Sequence, residues 1–195
     1  MTIADTGKNL LFRHRFAGLF ALLFCVLLIP PYFEDTTWIE SFWRWLFTLM
    51  LFWALYTVSG SRRVLMLAVI VLIPTVGSTW LAEPGQEKYL AYLDNITNIL
   101  YFGLICAFLG QYILTTQRVT LEVIFAAMCL YMMLAILWAA IYTNLELYYQ
   151  NAFTFRGEFA EQAGVLQESI FRNMMYFSFV TLSTLGYGDV LPVHQ

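Results

Sequence analysis

Long apolar runs separated by short polar connections set the organisation of this chain, and the lengths of the runs define its elements. Crossing about 30 Å of hydrocarbon takes roughly 20 residues of helix. Five stretches approach that length: residues 16–32, 39–58, 64–81, 93–114 and 119–142. The first follows Lys8, Arg13 and Arg15, closes on Pro30-Pro31 and lacks a small-x-small cleavage site, so it reads as a retained span rather than a signal peptide. Trp38, Trp43 and Trp45 open the second, an aromatic cluster suited to the headgroup level. Arg44 is expected there to snorkel or to pair with Glu40, four residues before it. Pro74 and Gly77 fall inside the third span, which a membrane bundle tolerates. In the fourth, Asn95, Asn98 and Gln111 are expected to face other helices rather than lipid.

Beyond residue 142 the pattern changes. Residues 143–167 are polar and contain glycine, which predicts an extracellular loop or turret. Residues 168–182 form a second apolar piece, long enough for about four helical turns but too short to span. Ser183-Thr184-Leu185-Gly186-Tyr187-Gly188-Asp189 comes directly after it. A glycine-rich backbone at membrane depth is tolerated only where it lines a cavity walled by protein or filled with water. Glycine at alternate positions permits left-handed backbone values, which turn successive carbonyls the same way. Carbonyls from four such strands around one axis can replace the water that a cation sheds. A threonine hydroxyl adds an oxygen at the inner mouth, the aromatic between the glycines packs outward, and the preceding half-helix directs the negative end of its dipole at the ion.

Thr181-x-x-Thr184-x-Gly186-Tyr187-Gly188-Asp189 resembles the signature of the potassium channel family, including the bacterial two-transmembrane ion channel domain. At ordinary residue frequencies T-x-G-Y-G-D arises by chance on the order of once in ten thousand chains of this length. The resemblance covers roughly residues 119–195. It implies an all-α membrane protein: a four-span domain over 1–118, then an outer helix at 119–142, the loop at 143–167, a re-entrant pore helix at 168–182 and a selectivity filter at 183–189. It implies K+ held by Thr184, Leu185, Gly186 and Tyr187, with Gly188 and Asp189 completing the filter. Tyr176, Phe177 and Thr181 would support it from the pore helix. Tyr176 and Phe177 occupy the positions of the family's aromatic cuff, and ordinary packing of a half-helix is the other reading of them.

The chain departs from the family pattern in three places. Leu185 stands where valine is usual and Ser183 where threonine is common, and both keep the backbone carbonyl. Val180 stands where some members carry a carboxylate, so Asp189 is expected to lack that partner. The function implied is that of a subunit of a homotetrameric, potassium-selective channel for passive transport, with no cofactor and K+ only as the transported ion. Six residues lie beyond Asp189, and the family's inner helix is absent from them. The expected explanation is a longer natural product, and the alternative is a non-conducting homologue acting as a membrane partner or modulatory subunit. A transporter of the related potassium uptake type would need four pore loops, and one occurs.

Composition and charge agree with a membrane location. The chain is 61% hydrophobic and 12% charged, far from the quarter-charged balance of soluble domains. A net charge of -3 without runs of one sign gives no reason to expect nucleic acid as a partner; membrane lipid is the expected surround. Placing Lys8, Arg13, Arg15, Arg62, Arg63 and Arg118 inside leaves Arg44, Lys88, Arg156 and Arg172 outside. Of the acidic residues only Asp5 and Glu122 then lie inside. This sorting predicts a multi-pass protein of the cell (inner) membrane with a cytoplasmic N-terminus and an external Asp189. No basic residue lies between Leu93 and Thr116, so steep voltage gating is not expected.

Cys25, Cys106 and Cys129 sit in apolar stretches without metal or redox spacing and read as small hydrophobes. Asn95-Ile96-Thr97 is formally a glycosylation acceptor but lies too near the membrane for that use. His14 and His194 have no partners at metal-binding spacing. With no Ser/His/Asp arrangement, nucleotide loop or H-E-x-x-H motif, an enzyme is not expected.

Overall fold

In the computed structural model, residues 15–28, 37–81, 88–149, 152–155 and 167–193 are described. Helix α1 (Arg15–Leu28) buries Phe16, Leu19, Leu23 and Val26, positions three or four apart that form one stripe. That stripe faces α2 (Thr37–Thr57) and α5 (Leu121–Tyr149). Gly18 allows the closest approach. A Cβ at this position would stand 2.5 Å from the Trp53 ring, whose Nε1 donates to the Arg15 carbonyl at 2.9 Å. The Arg15 guanidinium in turn donates to the Thr57 carbonyl at 3.2 Å. A cation at the C-terminal end of α2 satisfies a carbonyl that lacks a helical partner and complements the helix dipole.

A turn in which the Ser61 amide bonds Val58 O leads into α3 (Arg62–Leu81), which carries Pro74 within it. Helix α4 (Lys88–Thr115) lies against α3 and α5. It also reaches α2, where the buried Tyr101 hydroxyl donates to the Leu51 carbonyl at 2.5 Å. Helix α5 is the hub, packed on α1, α4 and α6 (Gln167–Leu182). Its buried positions include Ala126, Cys129, Ala135, Ala139, Ala140 and Thr143, and small residues of this kind let neighbouring backbones approach from several sides.

Among the described residues, three helices are long and apolar enough to cross a membrane, over Arg62–Trp80, Tyr92–Thr115 and Leu121–Tyr149. They make this an integral membrane protein, with three such helices where the sequence predicts five. Helix α1 has 14 residues and is short for a span; positions 29–32 of the first expected span lie outside the described residues. Helix α2 has the length, 21 residues, but its Trp, Thr and Ser side chains and the charges of Glu40 and Arg44 dilute its apolar character. Asn98 is buried as expected and Asn95 half-buried, whereas Gln111 is exposed.

Two further expectations are corrected. The outer helix does not stop at 142 but continues to Tyr149 as α5. The Thr143 hydroxyl turns back onto the Ala139 carbonyl of the same helix at 2.8 Å, so this polar side chain is satisfied within the helix, and the onset of polar residues changes the surroundings of the helix rather than ending it. The region expected to be loop also contains a strand. β1 (Phe153–Phe155) pairs antiparallel with β2 (Val190–Pro192), with Phe153 opposite Pro192, Thr154 opposite Leu191 and Phe155 opposite Val190. The fold is therefore helical except for this small sheet among the described residues. The rest of the expected loop, 156–166, and the pairing of Arg44 with Glu40 lie outside the described residues and side chains.

Candidate functional site

Helix α6 is 16 residues long, about 24 Å at 1.5 Å per residue, and is not among the helices able to cross. It is fastened to α5 by the buried Ser178, whose hydroxyl donates to the Ala135 carbonyl at 2.8 Å. Above this point Tyr142 of α5, Phe153 of β1 and Phe177 of α6 form a triangle of rings with centroids 5.7, 5.2 and 5.5 Å apart. Ala139, Met174 and Val190 complete that small core. It joins four elements, α5, β1, α6 and the strand over Val190–Pro192.

Hydrogen bonds at the end of α6 set the backbone beyond it. The Leu185 amide bonds the Val180 carbonyl at 3.0 Å, and the Thr184 amide bonds the Thr181 carbonyl at 3.1 Å. This pair of bonds, six-to-one and five-to-two, is the Schellman arrangement, which calls for a left-handed residue just past the helix. Thr184 fills that position with φ 60, and Gly186 and Gly188 adopt φ 57 and φ 76. Left-handed values thus recur at every second residue from 184 to 188. For a β-branched residue such a value is an outlier, and the two helix-end bonds hold it there. A Cβ on Gly186 or Gly188 would meet nothing within 4 Å. Backbone conformation, not space, requires glycine at both.

Among the residues expected to form the site, the structure brings together Tyr176 and Asp189. The Tyr176 hydroxyl donates to Asp189 Oδ2 at 2.5 Å, while Asp189 Oδ1 accepts the Val190 amide at 3.0 Å. The carboxylate without a neighbouring acid at Val180 therefore has a phenol as its partner. That hydrogen bond, then burial and the nearby Asp189 charge, push the Tyr176 phenol up to about 12. Phe177 turns the other way, into the ring triangle. Thr181 bonds the Phe177 carbonyl of its own helix at 2.8 Å and remains exposed. Thr184, Leu185, Gly186 and Tyr187 are exposed in the single chain, Leu185 by 57% and Tyr187 by 67%.

Sequence reasoning missed the tie beyond Asp189. The Val193 amide bonds Ala152 O at 2.7 Å, β2 pairs with β1, and the Phe153 amide donates to Glu146 Oε2 at 2.9 Å. The strand leaving the 183–189 segment is thereby anchored to the last turn of α5. Its available signal is the aromatic–Thr–aromatic alternation of 153–155, whose period is two. Ser178 carried no signal of its own, because its role depends on which residue of α5 lies opposite.

No curated protein and no solved structure matches the chain. The family described as "Ion channel" matches residues 118–195, the part that contains α5, β1, α6, the left-handed segment and β2. Together with the apolar helices, that match supports an ion channel domain over 118–195 in an integral membrane protein.

Proposed function

We propose that the chain is a subunit of a potassium-selective channel that carries K+ passively through a fourfold pore. The observation that carries this reading is the recurrence of left-handed backbone at Thr184, Gly186 and Gly188 directly after the end of a short helix. Alternation of this kind directs successive carbonyls to one side, and four copies around an axis offer a dehydrated cation rings of oxygen. Thr184, Leu185, Gly186 and Tyr187 supply those oxygens, and the C-terminal end of α6 contributes a favourable dipole. Closed cyclic symmetry accounts for four identical strands from one gene product. The exposure of residues 184–187 in the single chain fits a surface that other subunits cover. Tyr176 and the β1–β2 tie then act as positioning elements for the outer mouth. In this reading the N-terminus is cytoplasmic, in the inner membrane, and Asp189 faces outward.

The test is K+ flux by the full-length natural protein in liposomes. Flux blocked by barium and abolished in Gly186→Ala is expected, since alanine in the left-handed region costs about 1–2 kcal/mol and misdirects a carbonyl. Flux unchanged by Gly186→Ala would refute the assignment of the filter.

A further inference from the structure

The end of the bundle at which α1 begins gathers four arginines, and Arg15 is at its centre. The Arg15 Nη1 donates to the Thr57 carbonyl at 3.2 Å and would stand 3.8 Å from a Cβ on Gly60, beside the turn from α2 to α3. Its Cζ lies 5.5 Å from the centroid of the Tyr112 ring, near the end of α4. Arg62 and Arg63 follow the first of these connections directly, as the opening residues of α3. Arg118 lies in the short link from α4 to α5.

Opposite charge is scarce there. Glu122, in the first turn of α5, is the single acid at this end among the described residues, which leaves an excess of three positive charges. Arg62, Arg63 and Arg118 are exposed and make no ion pair among the described residues. The first turn of α3 has no acid either, although the positive end of a helix dipole disfavours cations. Apolar side chains flank the charges. Leu114, Val119 and Leu121, on either side of Arg118, are exposed by 88%, 83% and 74%. Met66 and Leu67, one turn after Arg62 and Arg63, are exposed as well. Arginines beside exposed apolar residues at helix ends belong at the boundary between headgroups and hydrocarbon.

We infer that Arg15, Arg62, Arg63 and Arg118 form a binding surface for the headgroup of an anionic phospholipid, with its acyl chains against Met66, Leu67 and Leu114. Charge complementarity selects the class of lipid: a zwitterionic headgroup brings no net charge to an excess of three, whereas a negative one is attracted by each nearby arginine. The guanidinium fork also matches the oxygens of a phosphate. A soluble polyanion would meet the arginines but leave the apolar residues in water. Arg118 precedes α5 by three residues, so a bound headgroup also holds the start of the helix on which α6 packs. The surface does not depend on which ion the pore passes.

The experiment places the purified full-length protein in phosphatidylcholine vesicles with a trace of spin-labelled phosphatidylglycerol or spin-labelled phosphatidylcholine and reads the fraction of label that the protein immobilises. A preference of about fivefold for phosphatidylglycerol is expected, weakening as salt is raised. The Arg62→Gln/Arg63→Gln/Arg118→Gln variant should bring the preference close to one, and Arg118→Gln alone should lower it. Arg118→Gln decides the matter if the triple variant does not fold. Arg172→Gln, on α6, removes one positive charge away from this surface and should leave the preference in place. Equal immobilisation of the two labels by the unaltered protein overturns the proposal. So does a preference lost as fully in Arg172→Gln as in the triple variant, because net charge and not this surface would then govern it. Displacement of the labelled lipid by soluble glycerol phosphate would make the ligand a free anion and overturn it as well.

Discussion

The Tyr176 phenol and the Asp189 carboxylate are joined by a 2.5 Å hydrogen bond that spans the whole left-handed segment between α6 and β2. Tyr176→Phe removes the donor and leaves the ring. Because the pair is partly exposed, the expected loss is about 1 kcal/mol. Amide exchange at Gly188 and Asp189 should then be about fivefold faster, with the rest of α6 unaffected. Unchanged exchange would mean that the bond does not hold the segment.

The same bond has a pH signature. The phenol is raised above its ordinary value, so its contribution is complete below the ordinary tyrosine range and fades as pH rises through about 12. Tyrosine absorbance titration of Tyr176→Phe should lose one late-ionising group, the one that titrates near pH 12.

Thr184 combines strain with a hydroxyl. Thr184→Gly should relieve a left-handed β-branched residue, worth about 1 kcal/mol, and raise Tm slightly while lowering K+ over Na+ permeability. A fall in Tm would show that the side chain, rather than the helix-end bonds, maintains the φ 60 conformation.

Glu146→Ala removes the acceptor of the Phe153 amide. A hydrogen bond to a carboxylate contributes about 1.5–3 kcal/mol, so exchange at Phe153 and along β2 should accelerate. Protection unchanged at both strands would dissociate the sheet from the end of α5.

Gly18→Ala places a methyl group against Trp53, where overpacking costs about 1–3 kcal/mol. A lower Tm is expected, with the α1–α2 contact loosened. Gly103→Ala, with nothing within 4 Å of the added carbon, is the control and should not lower Tm, since alanine is the better helix former.

Much of this architecture is visible in the residues themselves. The apolar runs locate α3, α4 and α5 because crossing a membrane imposes a length, and the glycines at 186 and 188 announce left-handed backbone because few other residues adopt it. Polarity is a poorer guide to helix ends, since Thr143 to Tyr149 stay helical after the apolar run has finished. The left-handed Thr184 is hidden in the sequence because it arises from hydrogen bonds to Val180 and Thr181, not from its own preference. Asp94 is inconspicuous at the edge of a span. Its partners Ser78 and Thr79 come from α3, and tertiary neighbours of this kind leave no local pattern.

The central claim is tested most directly by the reversal potential of the reconstituted full-length protein under opposed K+ and Na+ gradients. A potential that tracks the K+ gradient and is lost in Gly186→Ala is predicted. A potential near zero, with Na+ passing as readily as K+, would contradict it.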